Sequence, residues 1–127
     1  MANVLVVDDY PDLCQVLTRL LRADGHAAAG VVDGAAAIDF VRRSPPDVVL
    51  LDVAMPGLSG LDVLAAIRDD PDLAGTAVLM YTASVDPEAR ATAMRLGAQD
   101  YLVKSVTPFD ELSEAVRRYV PPVPAYA

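Results

Sequence analysis

Four short apolar runs, Val4–Val7, Val48–Leu51, Ala77–Tyr81 and Tyr101–Val103, lack the polar alternation of a strand with one wet face. Runs of this length and bulk suit strands buried on both faces, as in a parallel sheet covered by helices on each side. A fifth run, Ala27–Val32, is made of alanines, valines and a glycine and reads as an edge strand.

Between the runs the apolar period becomes helical. Leu13, Val16, Leu17, Leu20 and Leu21 recur at i, i+3, i+4, i+7 and i+8 and predict one inward stripe. Pro11 suits the first turn of that helix and Gly25 its end. A second helix is predicted over Gly34–Arg43, closed by Ser44-Pro45-Pro46. A third runs from the N-cap Ser59 to Arg68 and carries Leu61, Leu64 and Ala65. A fourth begins at Asp86-Pro87 and ends before Gly97; its inward face is mostly alanine, so it is lightly anchored. A fifth covers about Pro108–Tyr119, with Phe109, Leu112, Val116 and Tyr119 inward. Strand and helix thus alternate five times. In 127 residues this predicts one α/β domain, a flavodoxin-like doubly wound five-stranded parallel sheet of order 2-1-3-4-5 with five helices. The domain should occupy residues 1–119. Residues 120–127 form a Pro-containing tail that reads as the start of a linker or a frayed end.

Charge narrows the function. Eighteen acidic against ten basic residues give a net charge of −8, and the basic ones are scattered. Gripping nucleic acid or an anionic membrane needs clustered Lys and Arg, so neither partner is expected to be bound directly. The single cysteine, Cys14, rules out an internal disulfide, reads as a small buried hydrophobe, and is compatible with the cytoplasm. Met1-Ala2-Asn3 has no basic region of the signal-peptide kind, and no uncharged stretch, that through Gly75–Val85 included, is long enough to span a bilayer.

In doubly wound sheets, ligands bind beyond the carboxyl ends of the strands, near the point where strand order reverses. Asp8 and Asp9 follow the first strand, Asp52 the third, Thr82-Ala83-Ser84 the fourth and Lys104 the fifth. Each alone has a dull explanation: a helix cap, a turn, a solvated amine. Together they share one edge. Three carboxylates in one crevice repel one another and call for a cation. Magnesium suits them, since it takes one or two carboxylates, keeps waters and completes its shell with phosphate oxygens. Lys104 adds a point charge for phosphate and Thr82 a hydroxyl donor. The set reads as a phosphoryl-transfer site in which a carboxylate can be the nucleophile.

The pieces Val4-Leu5-Val6-Val7-Asp8-Asp9, Leu50-Leu51-Asp52-Val53-Ala54-Met55-Pro56-Gly57, Tyr81-Thr82-Ala83 and Gly97-Ala98-Gln99-Asp100-Tyr101-Leu102-Val103-Lys104 resemble the receiver domain of bacterial response regulators. The resemblance covers Ala2 to about Tyr119. It implies that Asp52 is the phosphoacceptor, that Asp9 binds Mg2+ directly and that Asp8 assists through water. The remaining metal ligands would be an Asp52 oxygen and the Ala54 backbone carbonyl. Thr82 and Lys104 would hold phosphoryl oxygens, and the small Ala83 would leave room for the donor. Thr82 and Tyr101 would form a switch that reshapes the surface of helix four, strand five and helix five. The implied donor is a phosphohistidine on a sensor histidine kinase or histidine phosphotransfer protein. Output would pass to a downstream protein or an effector domain, and a phosphorylation-dependent homodimer is left open.

Two other readings compete. A receiver-like scaffold would bind partners without being phosphorylated, but such scaffolds usually lose one of the acidic, Thr or Lys positions. An aspartyl-phosphate phosphohydrolase would need a second acid where Ala54 stands. No nucleotide-binding glycine motif is present. One position departs from the family pattern: Ser105, not proline, follows Lys104. A cis bond there would cost roughly 3–4 kcal/mol, so either the site holds that strain or the bond is trans.

Overall fold

The computed structural model describes residues 2–120. Its elements alternate without exception: β1 (Asn3–Val7), α1 (Pro11–Ala23), β2 (Ala27–Val31), α2 (Gly34–Arg43), β3 (Val48–Leu51), α3 (Gly60–Asp69), β4 (Ala77–Thr82), α4 (Pro87–Arg95), β5 (Asp100–Val103) and α5 (Phe109–Arg118). The five strands form one parallel sheet of order β2-β1-β3-β4-β5, as the sequence predicts. Every residue of β3 and β4 is buried, which is why their sequences do not alternate. The edge strand β2 is only partly covered.

Each face of the sheet has its own core. On one face Cys14, Leu17 and Leu21 of α1 and Leu112, Ala115 and Val116 of α5 pack over Val4, Val6, Leu50 and Leu79. On the other, α2, α3 and α4 cover Leu5, Val7, Val49, Leu51, Val78 and Met80. The predicted caps are present: Ser59 and Asp62 form a reciprocal capping box on α3, and Asp86 caps α4 ahead of Pro87. The end of α1 at Gly25 is also as expected, with φ of 97° there. Among the described residues no helix is long and apolar enough to cross a membrane. The Pro121–Pro124 segment lies outside the described residues.

Two helix faces differ from expectation. The stripe predicted for α1 included Val16 and Leu20, but these are 49% and 39% exposed. The buried side is Cys14, Leu17, Thr18 and Leu21. The reason lies in β2. A Cβ on Gly30 would come 2.5 Å from the Cys14 sulfur and 3.0 Å from the Thr18 hydroxyl. A bare strand lets α1 settle closely and turns the helix toward those two smaller side chains. In α3 the buried side is Gly60, Val63, Leu64 and Ile67, while Leu61 and Ala65 sit at its margin. Two 3-10 turns, Pro71–Leu73 and Lys104–Val106, had no distinct sequence signal.

Cys14 is the small buried residue expected. Burial, then the charge of Asp8, push its thiol pKa above 9.0 against an opposing hydrogen bond with Thr18. Because only the thiolate reacts, modification by Ellman's reagent at pH 8 should be about 100-fold slower in the native protein than in denaturant. Equal rates would mean that α1 does not stay packed on β2.

Candidate functional site

Register brings the candidate residues together. Val7 of β1 pairs with Leu51 of β3, so the next residues, Asp8 and Asp52, emerge side by side. The Asp52 amide donates to the Val7 carbonyl at 3.0 Å, and the Asp8 amide to the Val31 carbonyl at 3.2 Å. Thr82 of β4 pairs with Val103 of β5, which places Lys104 one step beyond. The sheet edge expected from the sequence is therefore formed.

Carboxylate oxygens of Asp8, Asp9 and Asp52 all lie within 4.8 Å of one another. Asp8 and Asp52 are only 2% and 6% exposed, whereas Asp9 faces solvent. The Lys104 ammonium donates to Asp8 Oδ2 at 2.5 Å and to Asp52 Oδ2 at 3.2 Å. Asp8 Oδ1 accepts from the Tyr10 amide at 2.9 Å. Asp52 Oδ1 is buried and has no hydrogen-bond partner. A buried carboxylate oxygen without a partner, on a residue grouped with two other carboxylates, is costly unless a cation meets it, so the donor set fits a small oxygen-seeking divalent metal.

Lys104 shows the same competition. Burial is the largest single influence on it and lowers its pKa. The hydrogen bond to Asp8 and the charges of Asp52 and Asp8 together outweigh burial and raise it above 10.5. A raised lysine pKa means the pairing stabilises the fold fully below the unfolded value of 10.5 and fades only as pH climbs through the higher folded value. At neutral pH the ammonium is therefore a fixed charge.

Thr82 is wholly buried at the end of β4, and its hydroxyl accepts from the Ser84 amide at 3.2 Å. Tyr101 points inward and is 4% exposed. Its hydroxyl donates to the Ser84 carbonyl at 3.1 Å, and the Arg90 guanidinium of α4 lies 5.8 Å from its ring centroid. Thr82 and Tyr101 thus both act on Ser84, a residue that sequence reasoning did not assign to this pair. Ala54 is exposed two residues beyond Asp52, and Ala83 is exposed beside Thr82. The Lys104–Ser105 bond is trans, which removes the strained alternative. A cleft of about 500 Å3 between α1 and β2, lined by Cys14, Thr18 and Arg22 among others, contains none of these residues. A phosphoryl group needs a shallow charged crevice, and the acidic edge is the better candidate.

A doubly wound sheet with three aspartates, a threonine and a lysine at its switch point defines the class. Comparison with known proteins agrees. Residues 4–117 match the model of the response regulator receiver domain, and the chain belongs to that family. It is 40% identical over 115 residues to the DNA-binding response regulator MtrA of Mycolicibacterium smegmatis, covering 91% of this chain and 49% of that protein. It is 35% identical to the transcriptional regulatory protein BaeR of Escherichia coli, covering 84% of this chain and 43% of that one. The chain therefore spans about half the length of these curated relatives. Among solved structures it resembles Vibrio cholerae chemotaxis protein CheY4, with a TM-score of 0.87, 29% identity and coverage of 94% and 99%. It also resembles the Thermotoga maritima response regulator TrrA in complex with Mg2+ and BeF, with a TM-score of 0.83, 32% identity and coverage of 94% and 100%. A receiver domain is a signalling switch rather than a turnover enzyme.

The exposed Asp9 adds a third negative charge beside Asp8 and Asp52 and has no ion pair among the described residues, so Asp9→Asn should relieve repulsion. The expected result without divalent ions is a rise in melting midpoint of about 1–3 °C. Added Mg2+ should raise the midpoint of the wild type and leave that of Asp9→Asn nearly unmoved. Scanning calorimetry of both proteins with and without Mg2+ checks this, and equal Mg2+ responses would remove Asp9 from the metal site.

Proposed function

We propose that this receiver domain takes a phosphoryl group on Asp52 from a phosphohistidine of a sensor histidine kinase or histidine phosphotransfer protein. The observation that carries the reading is the buried Asp52 carboxylate, with one oxygen unpartnered and the other held by Lys104, beside two further aspartates. One Asp52 oxygen attacks phosphorus in line. The P–N bond of the phosphohistidine breaks, and its electron pair leaves on the imidazole nitrogen, which takes a proton from solvent. Lys104, already charged and aimed at Asp52, turns to a phosphoryl oxygen. The Thr82 hydroxyl donates to a second one. Ala83 leaves the approach of the donor open. Held by Asp9, Asp52, the Ala54 backbone carbonyl and, through water, Asp8, magnesium would neutralise charge as it builds on the phosphoryl oxygens. The magnesium complex of the T. maritima relative supports this assignment. Loss of the phosphate is the same site working on water, which restores Asp52 and inorganic phosphate.

In this reading Thr82 and Tyr101 carry the signal. A Thr82 hydroxyl recruited by phosphate gives up the Ser84 amide, and Tyr101 holds the Ser84 carbonyl, so the β4–α4 loop reports the state of Asp52. The surface of α4, β5 and α5 would then change for a downstream protein, an effector domain or a second copy of the chain. The names of the curated relatives favour a regulator of transcription, and in this reading it works in the cytoplasm. The receiver would span residues 1–119, with 120–127 a Pro-containing tail or the start of a linker.

Intact-mass spectrometry after incubation with acetyl phosphate should show one Mg2+-dependent phosphoryl adduct on the wild type and none on Asp52→Asn. Absence of the adduct, together with failure to bind beryllofluoride, would replace this reading with a scaffold that only binds partners. For the switch, beryllofluoride should alter amide exchange across residues 83–96 in the wild type. In Tyr101→Ala that response should shrink while beryllofluoride still binds. An undiminished response would leave Tyr101 as a plain core aromatic.

A further inference from the structure

The first turn of α3 lies directly on the backbone of Asp52. A Cβ built on Gly60 would sit 1.8 Å from the Asp52 carbonyl oxygen, 2.7 Å from its carbonyl carbon and 2.9 Å from the Val53 Cα. No other glycine of the described residues meets a backbone atom so closely. The Gly60 amide also donates to the Val53 carbonyl at 2.8 Å. The capping box of Ser59 and Asp62 fixes the same turn from the other side. On its opposite side, Asp52 is held by its amide bond to Val7. Asp52 is thus clamped between β1 and α3, and the α3 jaw closes only because residue 60 has no side chain.

We infer that Gly60 is a positioning residue for Asp52, setting where its carboxylate stands relative to Lys104, Asp8 and Asp9. The inference rests on the reading of Asp52 as the phosphoacceptor. Its strength comes from the size of the mismatch. A methyl at position 60 must move from 1.8 Å to at least the 3.0 Å that real Cβ contacts keep, a shift of about 1.2 Å, against backbone that cannot rotate away. Productive sites tolerate displacements of about 0.5 Å, and about 1 Å can cost on the order of 100-fold in rate. The backbone φ at Gly60 is not in the left-handed region, so close approach, not conformational freedom, is what demands glycine.

The test compares wild type, Gly60→Ala and Leu112→Ala, the last a core variant on the opposite face of the sheet that lowers stability without touching the site. Mg2+ affinity by calorimetry, beryllofluoride binding and the acetyl phosphate labelling rate are measured on each folded protein. Gly60→Ala should lose roughly 100-fold in labelling rate and at least about ten-fold in Mg2+ affinity, while Leu112→Ala stays within about two-fold of wild type. Equal losses in the two variants, or none in Gly60→Ala, overturn the inference while the phosphoacceptor reading stands. A wild type that binds neither Mg2+ nor beryllofluoride overturns the phosphoacceptor reading instead. Should Gly60→Ala not fold, amide exchange of the wild type decides. Mg2+ with beryllofluoride should slow exchange at the Gly60 amide by about ten-fold or more and leave Leu112 unchanged. An unresponsive Gly60 amide means that its packing is structural only.

Discussion

The parallel pairing of β3 with β1 is the constraint on which the rest depends. It aligns Val7 with Leu51, and the two chains then leave the sheet together as Asp8 and Asp52. Adjacent strands lie about 4.8 Å apart, close enough for carboxylates on both to share one ligand. Among the described residues, Lys104 alone attracts the two acids at the side-chain level. Two acids are brought side by side by backbone hydrogen bonds and by apolar burial on both faces of β3, against their own repulsion. Order 2-1-3-4-5 matters for the same reason. Only at the switch point do β1 and β3 send their helices to opposite faces of the sheet, leaving a crevice over their ends.

That repulsion is left partly uncompensated. One ammonium, Lys104, faces three carboxylates, and it bonds the two buried ones through a single oxygen each. A stability-driven design would have removed an acid or added a second base. Keeping a buried carboxylate oxygen without a donor has a cost, and such costs persist where the group has another use. The donor set thus fits a cation and an anion arriving together. Lys104 follows the last strand and Asp8 the first, so the pairing also ties the end of β5 to the end of β1 across the sheet.

Much of this was legible in the sequence because each signal was local. Runs without alternation marked β1, β3 and β4, since both faces of those strands are covered. Asp8, Asp52 and Lys104 could be found because candidate residues in this architecture follow a strand directly, and Thr82 because it ends one. The rotation of α1 could not be read, because Val16 and Leu20 are as apolar as the residues that are buried. Gly30 on another element decides the matter by leaving space for Cys14 and Thr18. Gly60 was hidden for a similar reason. In Gly57-Leu58-Ser59-Gly60 two glycines look alike, yet Gly57 has φ of 77° and open space around it, whereas Gly60 presses on Asp52. The bond that seats Tyr101 was likewise invisible, since its partner, the Ser84 carbonyl, is supplied by a loop 17 residues away.

The helices differ in how firmly they are held, and this decides where a signal can go. Helix α5 buries Leu112, Ala115 and Val116, and its Ser113 and Arg117 bond Asp24 at the end of α1. Helix α4 buries only Ala93. Its two ends are tethered differently. At the C-terminal end Arg68 donates to the Gly97 carbonyl at 3.0 Å and to Gln99, whose oxygen also accepts from the Val78 amide. At the N-terminal end the main tie across to β5 is the single bond from Tyr101 to Ser84, helped by Arg90 over the ring. Moving α5 would expose core, at roughly 25 cal/mol for each Å2 of apolar surface. Moving the N-terminal end of α4 exchanges one hydrogen bond, a net of about 0.5–1.5 kcal/mol. In the proposed reading, a charge change at Asp52 that reaches Thr82 would therefore meet its least resistance in the β4–α4 loop, with the Arg68 end of α4 held in place.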